Sequence, residues 1–297
     1  MTKITLLDGG TGRELKRRGA PFRQPEWSAL ALIEAPHCVT QVHEAFVAAG
    51  ADVITTNSYA IVPFHLGAER HAAEGARLAR LSGTLAREVA TRAGRQLRVA
   101  GSLPPVCGSY RADLFDAASA RPLLRMLVAA LRPSVDLWLG ETLSAIEEAR
   151  LIRDVVGFDG KPLWLSYTLA EVDESDVGAR LRSGQTVAEA VRASIQFGAE
   201  AVLFNCSQPE VMGAAVTAAC EVIAAEQSAV QVGVYANAFP PQRTDAEANE
   251  DLLDIRADLT PAGYLDWARD WVARGAGIVG GCCGIGPEHI AALHAAL

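Results

Sequence analysis

The chain has 297 residues, of which 50% are hydrophobic and 21% charged, so it can bury the core of two small domains or of one α/β barrel. Its net charge is −8, and no basic cluster is long enough to follow a phosphate backbone, which argues against nucleic acid as a partner. No apolar run resembles a signal peptide or a membrane span. We therefore expect a cytoplasmic protein that does not bind membranes and keeps its six cysteines reduced.

Eight short β-rich runs alternate with stretches of helical periodicity along the chain. The predicted strands are 3–8, 52–57, 97–102, 135–141, 162–169, 200–206, 230–236 and 277–282. The predicted helices are 36–49, 69–93, 119–132, 144–156, 186–197, 209–226, 261–274 and 287–296. Eight β-then-α units predict a (β/α)8 TIM-type barrel. A doubly wound sheet is the alternative, weakened because no predicted strand is followed by Gly-x-Gly-x-x-Gly.

Loop lengths indicate which end of the barrel carries the active site. Connections from helix to strand are short, as at 49–51 and 274–276, whereas those from strand to helix are long, as at 9–35 and 237–260. This asymmetry predicts an active site at the C-terminal ends of the strands. We interpret 237–260 either as a lid over the site or as a loop that is merely exposed to solvent. Without repeats or linkers, residues 1–297 are predicted to form a single domain.

Three cysteines lie where two predicted strands end. Cys206 ends the sixth strand, and Cys282 and Cys283 end the eighth, so the barrel brings three thiols to one face. Three thiolates would form an open zinc site with one coordination position left for a substrate. Adjacent strand residues point to opposite sides, so the pair can share a metal only at a turn, which Gly280-Gly281 and Gly284 permit. Core thiols or a redox-active pair are the alternative interpretation.

The surrounding residues indicate chemistry on a substrate thiol. A thiol that coordinates zinc loses its proton, and the resulting thiolate attacks an electrophilic carbon. Asp8 and Glu141 end the first and fourth strands; they are ordinary capping carboxylates or, as we favour, partners of a substrate ammonium. Trp27 and Tyr59 can face a sulfonium or quaternary ammonium through cation–π contact. Five histidines fall on helices, and His65, in a loop on this face, is not expected to bind metal.

Several short motifs carry a family resemblance over nearly the whole chain. They are Leu7-Asp8-Gly9-Gly10, Trp27-Ser28, Thr56-Asn57-Ser58-Tyr59, Gly140-Glu141-Thr142, Asn205-Cys206 and Gly280-Gly281-Cys282-Cys283-Gly284. The chain resembles the homocysteine S-methyltransferase family, and the last two motifs are the specific ones. The resemblance implies that Cys206, Cys282 and Cys283 hold zinc (Zn2+). It also implies that the substrates contact a further set of residues, which are Asp8, Gly9, Glu141, Asn57, Trp27 and Tyr59.

The implied reaction transfers a methyl group from a small cationic methyl donor to homocysteine, giving methionine. We favour S-methylmethionine as the donor, with S-adenosylmethionine or a betaine possible, and expect binding to release about one thiol proton near pH 7. Thr142 follows Glu141 where betaine-dependent members have an aromatic residue, which disfavours betaine. The alternatives are a different thiol acceptor, a metal-free barrel that holds phosphate at Gly280-Gly281, and a non-catalytic redox protein with a Cys282–Cys283 disulfide. Nothing decides the oligomeric state.

Overall fold

Eight parallel strands with intervening helices form the protein in the computed structural model, which describes residues 3–170, 179–240 and 255–297. The strands are β1 (Thr5–Leu6), β2 (Val53–Thr55), β3 (Arg98–Leu103), β4 (Leu137–Leu143), β5 (Leu163–Tyr167), β6 (Ala201–Asn205), β7 (Gln231–Tyr235) and β8 (Ile278–Val279). The helices are α1 (Thr11–Arg17), α2 (Ser28–Glu34), α3 (Pro36–Ala48), α4 (Pro63–Leu66), α5 (Ala68–Arg92), α6 (Ala117–Leu131), α7 (Ile146–Val156), α8 (Val187–Gln196), α9 (Pro209–Ala225), α10 (Pro261–Ala273) and α11 (Pro287–Ala296).

The strands follow one another around a barrel in the order β1-β8-β7-β6-β5-β4-β3-β2. Leu7, directly after β1, forms a parallel bridge with Val53 of β2, which brings the two ends of the sheet together. The predicted (β/α)8 TIM-type barrel is thus confirmed. Every C-terminal strand end faces the same rim, where a barrel of this kind carries its site.

Two apolar clusters hold the barrel, as the alternation of strand side chains requires. The inner cluster fills the interior and takes residues from all eight strands or their ends; its largest member is Trp164. The outer cluster lies between the strands and the helices and includes Phe46, Phe204 and Trp271. Since the interior is filled with side chains, substrates have access at the rim, not through the barrel.

The sequence predicts each strand and each long helix, but three short helices are absent from the prediction. These are α1 and α2 in the first long connection and α4 after β2; each has at most seven residues, too short for a clear period. The terminal strands are shorter than predicted, two residues each. The predicted connection 237–260 falls mainly on 241–254, outside the described residues. Among the described helices, none has both the length and the apolar character to cross a membrane.

Candidate metal and substrate site

Three thiols meet at the C-terminal rim of the barrel. Cys206 directly follows β6, and Cys282 and Cys283 follow β8 after two glycines. The three Sγ atoms lie within 4.8 Å of one another, and none of the cysteines is in a disulfide. Cys206 is buried, whereas the other two are half-buried. One side of the cluster is therefore open to the rim.

A glycine-rich turn allows two consecutive cysteines to face one point. The Cys282 N–H donates to the Ala236 carbonyl at 2.9 Å, and the Cys283 carbonyl accepts from the Ala238 N–H at 2.8 Å, so both residues are tied to the end of β7. Gly284 has φ +87°, a conformation that favours glycine. At Gly281, a Cβ would lie 2.2 Å from a side-chain carbon of Ile285. Close packing therefore requires the glycine here.

The cluster fits a metal ion that prefers sulfur ligands. In a tetrahedral site with Zn–S distances near 2.3 Å, neighbouring sulfurs are about 3.8 Å apart, so sulfurs within 4.8 Å need to close by no more than about 1 Å. Hydrogen bonds from the Cys282 and Cys283 thiols hold the pKa of Cys206 well below its usual value. Three soft donors with an open side match the ligand set of an open zinc site.

Two carboxyl groups lie on the same rim, of which Asp8 is buried and Glu141 half-buried. Asp8 accepts hydrogen bonds from the Thr55 N–H at 2.7 Å and the Thr55 hydroxyl at 2.9 Å. Glu141 accepts from the Ser102 hydroxyl and, at 3.4 Å, from the Tyr235 hydroxyl. Burial raises the pKa of Asp8 to about 7 and that of Glu141 to about 8, and the charge of Asp8 further raises the pKa of Glu141. Among the described residues, no cation favours the charged form of either carboxyl.

The side-chain amide of Asn205 holds the end of β4 in place. From the sequence, this residue is known only as part of the Asn205-Cys206 motif and has no assigned role. The Asn205 Oδ1 accepts from the Thr142 N–H at 3.0 Å and from the Ser166 hydroxyl at 2.7 Å, while its Nδ2 donates to the Thr142 hydroxyl at 2.9 Å. Thr142 has φ +60°, and the register of β4 shifts between Gly140 and Leu143. Asn205 thus holds the irregular strand end that carries Glu141.

The aromatic residues expected at the donor side form one group. The ring centroids of Trp27 and Tyr59 are 6.1 Å apart, and the Tyr59 hydroxyl lies 2.6 Å from the Ser109 hydroxyl. His65 lies beside Trp27, with 6.0 Å between ring centroids, and its Nδ1 is 2.8 Å from the Pro25 carbonyl. Burial lowers the pKa of His65 to about 4, so this imidazole is neutral at pH 7.

Two residues that the resemblance assigns to the substrates have clear packing contacts. The Asn57 Nδ2 donates to the Ser28 carbonyl at 3.1 Å, which ties the loop after β2 to α2. A Cβ at Gly9 would lie 2.3 Å from the Ile285 carbonyl oxygen, so the end of β1 packs closely on the cysteine turn. Tyr110, which carries no sequence signal, adds to the lowering of the Cys206 pKa, after the larger effect of the Cys282 and Cys283 thiols.

Several proteins similar to this chain are named for methyl transfer to homocysteine or selenocysteine. Homocysteine S-methyltransferase 1 of Zea mays is 27% identical, over 97% of this chain and 92% of its own length. A selenocysteine methyltransferase of Astragalus bisulcatus is 25% identical, over 98% of this chain and 92% of its own length. The homocysteine methyltransferase MmuM of Escherichia coli, in its metallated form, superimposes with a TM-score of 0.79 and 27% identity, covering 99% of this chain and 96% of MmuM.

The family model for homocysteine S-methyltransferase matches residues 5–297. The matched residues include the first and last strands of the barrel, the three cysteines and the two carboxyls, Asp8 and Glu141. It confirms the resemblance carried by the sequence motifs. The chain belongs to the homocysteine S-methyltransferase family.

Proposed function

We propose that this enzyme uses zinc at Cys206, Cys282 and Cys283 to transfer a methyl group from a small onium donor to the sulfur of homocysteine, giving methionine. The observation that carries the proposal is the three-sulfur cluster at a rim that also holds two carboxyls with raised pKa values. We further propose that residues 1–297 form a single homocysteine-binding domain, since strands from both ends of the chain close one barrel.

Zinc, when bound by the three cysteines, would supply the positive charge that keeps a substrate sulfur deprotonated at neutral pH. Asp8 and Glu141 would bind the homocysteine ammonium, which would supply the cation that the described residues do not place beside these carboxyls. Gly9 packs closely on Ile285, and in this proposal its backbone, next to Asp8, contacts the amino-acid part of the substrate. With these contacts the chain orients the acceptor and needs no general base.

The donor would lie against Trp27 and Tyr59. Their rings are roughly perpendicular, with an interplanar angle of 78°, and together offer π-surface to a sulfonium or quaternary ammonium. His65 beside them is neutral, so it does not repel a cation. Asn57 would hold the loop that carries Tyr59 in place, because its side-chain amide donates a hydrogen bond to Ser28 at the start of α2. We favour S-methylmethionine over betaine, since Thr142 follows Glu141 where betaine-dependent members have an aromatic residue.

A matrix of donors and acceptors tests the proposal with protein that carries one zinc equivalent. The donors are S-methylmethionine, S-adenosylmethionine, betaine and dimethylsulfoniopropionate, and the acceptors are homocysteine, cysteine and selenocysteine. We expect methionine from homocysteine with S-methylmethionine, and no turnover after zinc is removed by a chelator. Recovery of activity on adding zinc back is the control. Full turnover by zinc-free protein, or none with homocysteine and any donor, would contradict the proposal.

A further inference from the structure

A buried tyrosine hydroxyl lies between the ends of the two strands that lead to the cysteine turn. Tyr264, in the first turn of α10, is fully buried. Its hydroxyl accepts a hydrogen bond from the Ala236 N–H, directly after β7, at 3.1 Å, and donates to the Gly280 carbonyl, directly after β8, at 2.7 Å. The Ala236 carbonyl is farther away, at 3.4 Å, so the single phenol proton is directed to Gly280. The hydroxyl therefore bridges the two strands.

This bridge takes the place of one hydrogen bond in the ladder between β7 and β8. The Gly280 N–H donates to the Val234 carbonyl and the Cys282 N–H to the Ala236 carbonyl, both at 2.9 Å. In a parallel pair with this register, the bond between these two would run from the Ala236 N–H to the Gly280 carbonyl. These are the two groups that Tyr264 joins. An oxygen between them holds the strands farther apart than a direct bond would, immediately before Cys282.

The opposite edge of β8 keeps direct backbone bonds at the same height. The Leu7 N–H donates to the Val279 carbonyl and the Gly281 N–H to the Asp8 carbonyl, both at 2.9 Å. The end of β8 is thus held closely to the end of β1 and kept apart from the end of β7. Unequal spacing on the two edges bends the end of a strand, as a β-bulge does. The two consecutive cysteines follow directly after this bend.

Aromatic neighbours fix the ring that carries this hydroxyl. The rings of Trp271 and His289 meet the Tyr264 ring edge to face, with centroids 5.6 and 6.0 Å away. The His289 Nδ1 accepts from the Gly286 N–H at 3.2 Å, so Nε2 carries the proton and donates to the Leu259 carbonyl at 3.0 Å. These contacts tie the start of α10 to the start of α11 around the phenol ring. The position of the hydroxyl is therefore set by two helices outside the barrel wall.

We propose that Tyr264 is a positioning residue of the metal site: by replacing one ladder bond, its hydroxyl sets the bend that aligns Cys282 and Cys283 with Cys206. The inference rests on the zinc site of the proposed function. Without the hydroxyl, the Ala236 N–H and the Gly280 carbonyl either stay unpaired, at a cost in free energy, or bond directly. Both outcomes move the strand end that carries two of the three thiols. Zinc affinity should depend on such contacts outside the ligand set.

Competition for zinc with a chromophoric chelator tests this inference. We expect Tyr264→Phe to raise the dissociation constant for zinc about 10–100-fold. The unnatural residue para-aminophenylalanine in place of Tyr264 can both accept and donate, and should restore most of the wild-type affinity. In the same place, para-fluorophenylalanine fills the space of the hydroxyl without donating, so it leaves no void and should still weaken zinc binding. Tyr167→Phe is the matched control: it removes another fully buried hydroxyl, 2.9 Å from that of Ser194, and should bind zinc as the wild type does.

Urea unfolding of the zinc-free proteins separates positioning from a general loss of stability. Both phenylalanine variants should lose stability, but only Tyr264→Phe should lose zinc affinity. Wild-type affinity in Tyr264→Phe and in the fluorinated variant, or an equal loss of affinity in Tyr167→Phe, would overturn the inference. A wild type that binds zinc and makes methionine while Tyr264→Phe binds zinc as tightly overturns this inference alone. A wild type that binds no zinc, or makes no methionine with any donor, overturns the proposed function.

Discussion

Binding of homocysteine should release more protons than its thiol alone can supply. Glu141, whose pKa burial raises to about 8, is about nine-tenths protonated at pH 7, and Asp8, with a pKa of about 7, about half protonated. A substrate ammonium placed between them favours the carboxylates. Full ionisation of both carboxyls at pH 7 should therefore expel about 1.4 protons, besides about one from a thiol with a free pKa of ~8.5.

Calorimetry in two buffers of different ionisation enthalpy measures the number released. We expect about 2.4 protons for zinc-loaded protein and about 1.5 for Glu141→Gln, because the amide that replaces the carboxyl in this variant has no proton to lose. Removing zinc from the wild type should instead eliminate the thiol contribution and keep that of the carboxyls. The two perturbations thus remove different protons, and applying both should leave less than about half a proton, from Asp8.

The pH dependence follows from the same groups, with a defined sign. Since binding releases protons, homocysteine should bind more tightly as the pH rises from about 6 to about 8, and the Glu141 contribution should vanish above the pKa of about 8. An equal proton release by Glu141→Gln and the wild type at pH 7 would refute the reasoning. The ammonium would then lie elsewhere, or Glu141 would already be charged in the free enzyme.

Three further predictions concern the construction of the site. Alanine in place of any of the three cysteines should abolish zinc content, measured by elemental analysis, with little change in the melting temperature, since the cluster lies at the rim; full zinc content would remove that residue from the ligand set. Asp8→Asn should keep zinc but raise the KM for homocysteine about tenfold or more, and loss of zinc would contradict this division of roles. Gly281→Ala should lower the free energy of unfolding in urea by about 1–3 kcal/mol, because the added Cβ would lie 2.2 Å from Ile285. Gly277→Ala is the control: its Cβ would have no atom within 4 Å, and its free energy of unfolding should differ from that of the wild type by less than about 1 kcal/mol.

The sequence predicts the barrel well because its information is local and periodic. Each strand is a short apolar run followed by a helical period, and the right-handed β-α succession leaves few topologies. Cys206 and the Cys282-Cys283 pair could be assigned to one rim for the same reason: parallel strands end on one side. The expectation that the pair meets at a glycine turn agrees with the geometry around Gly284.

The contacts that organise the rim could not be predicted in this way. Thr142 takes a left-handed conformation because Asn205, 63 residues away, bonds both its N–H and its hydroxyl. That contact depends on the exact register of β4, which shifts near its end. Tyr110 lies in an irregular connection, where neither period nor motif assigns a direction to a side chain. The elevated pKa values of Asp8 and Glu141 likewise require burial that only tertiary packing supplies.

The two carboxyls, Asp8 and Glu141, also predict that homocysteine binds before the methyl donor. In the free enzyme they are largely neutral near pH 7, given pKa values of about 7 and 8. Homocysteine would bring one ammonium but also a carboxylate and a thiolate, while the carboxyls lose about 1.4 protons. The site thus becomes more negative when the acceptor binds. One added charge about 5 Å from the donor contributes up to roughly 3 kcal/mol at an effective dielectric constant near 20, less after screening.

A cationic donor should therefore bind at least about tenfold more tightly after homocysteine than before it. Steady-state inhibition by a quaternary ammonium compound that cannot transfer a methyl group tests this order. We expect mixed inhibition against homocysteine in which the uncompetitive constant is at least about tenfold lower than the competitive one, because the negative charge that the acceptor creates favours the inhibitor, together with a competitive pattern against the donor. A neutral analogue, with a tert-butyl group in place of the trimethylammonium, is the matched control and should lose this dependence. Inhibition that homocysteine relieves would mean that both ligands occupy the same space, and that the carboxyls beside Cys206 serve the donor and not the acceptor.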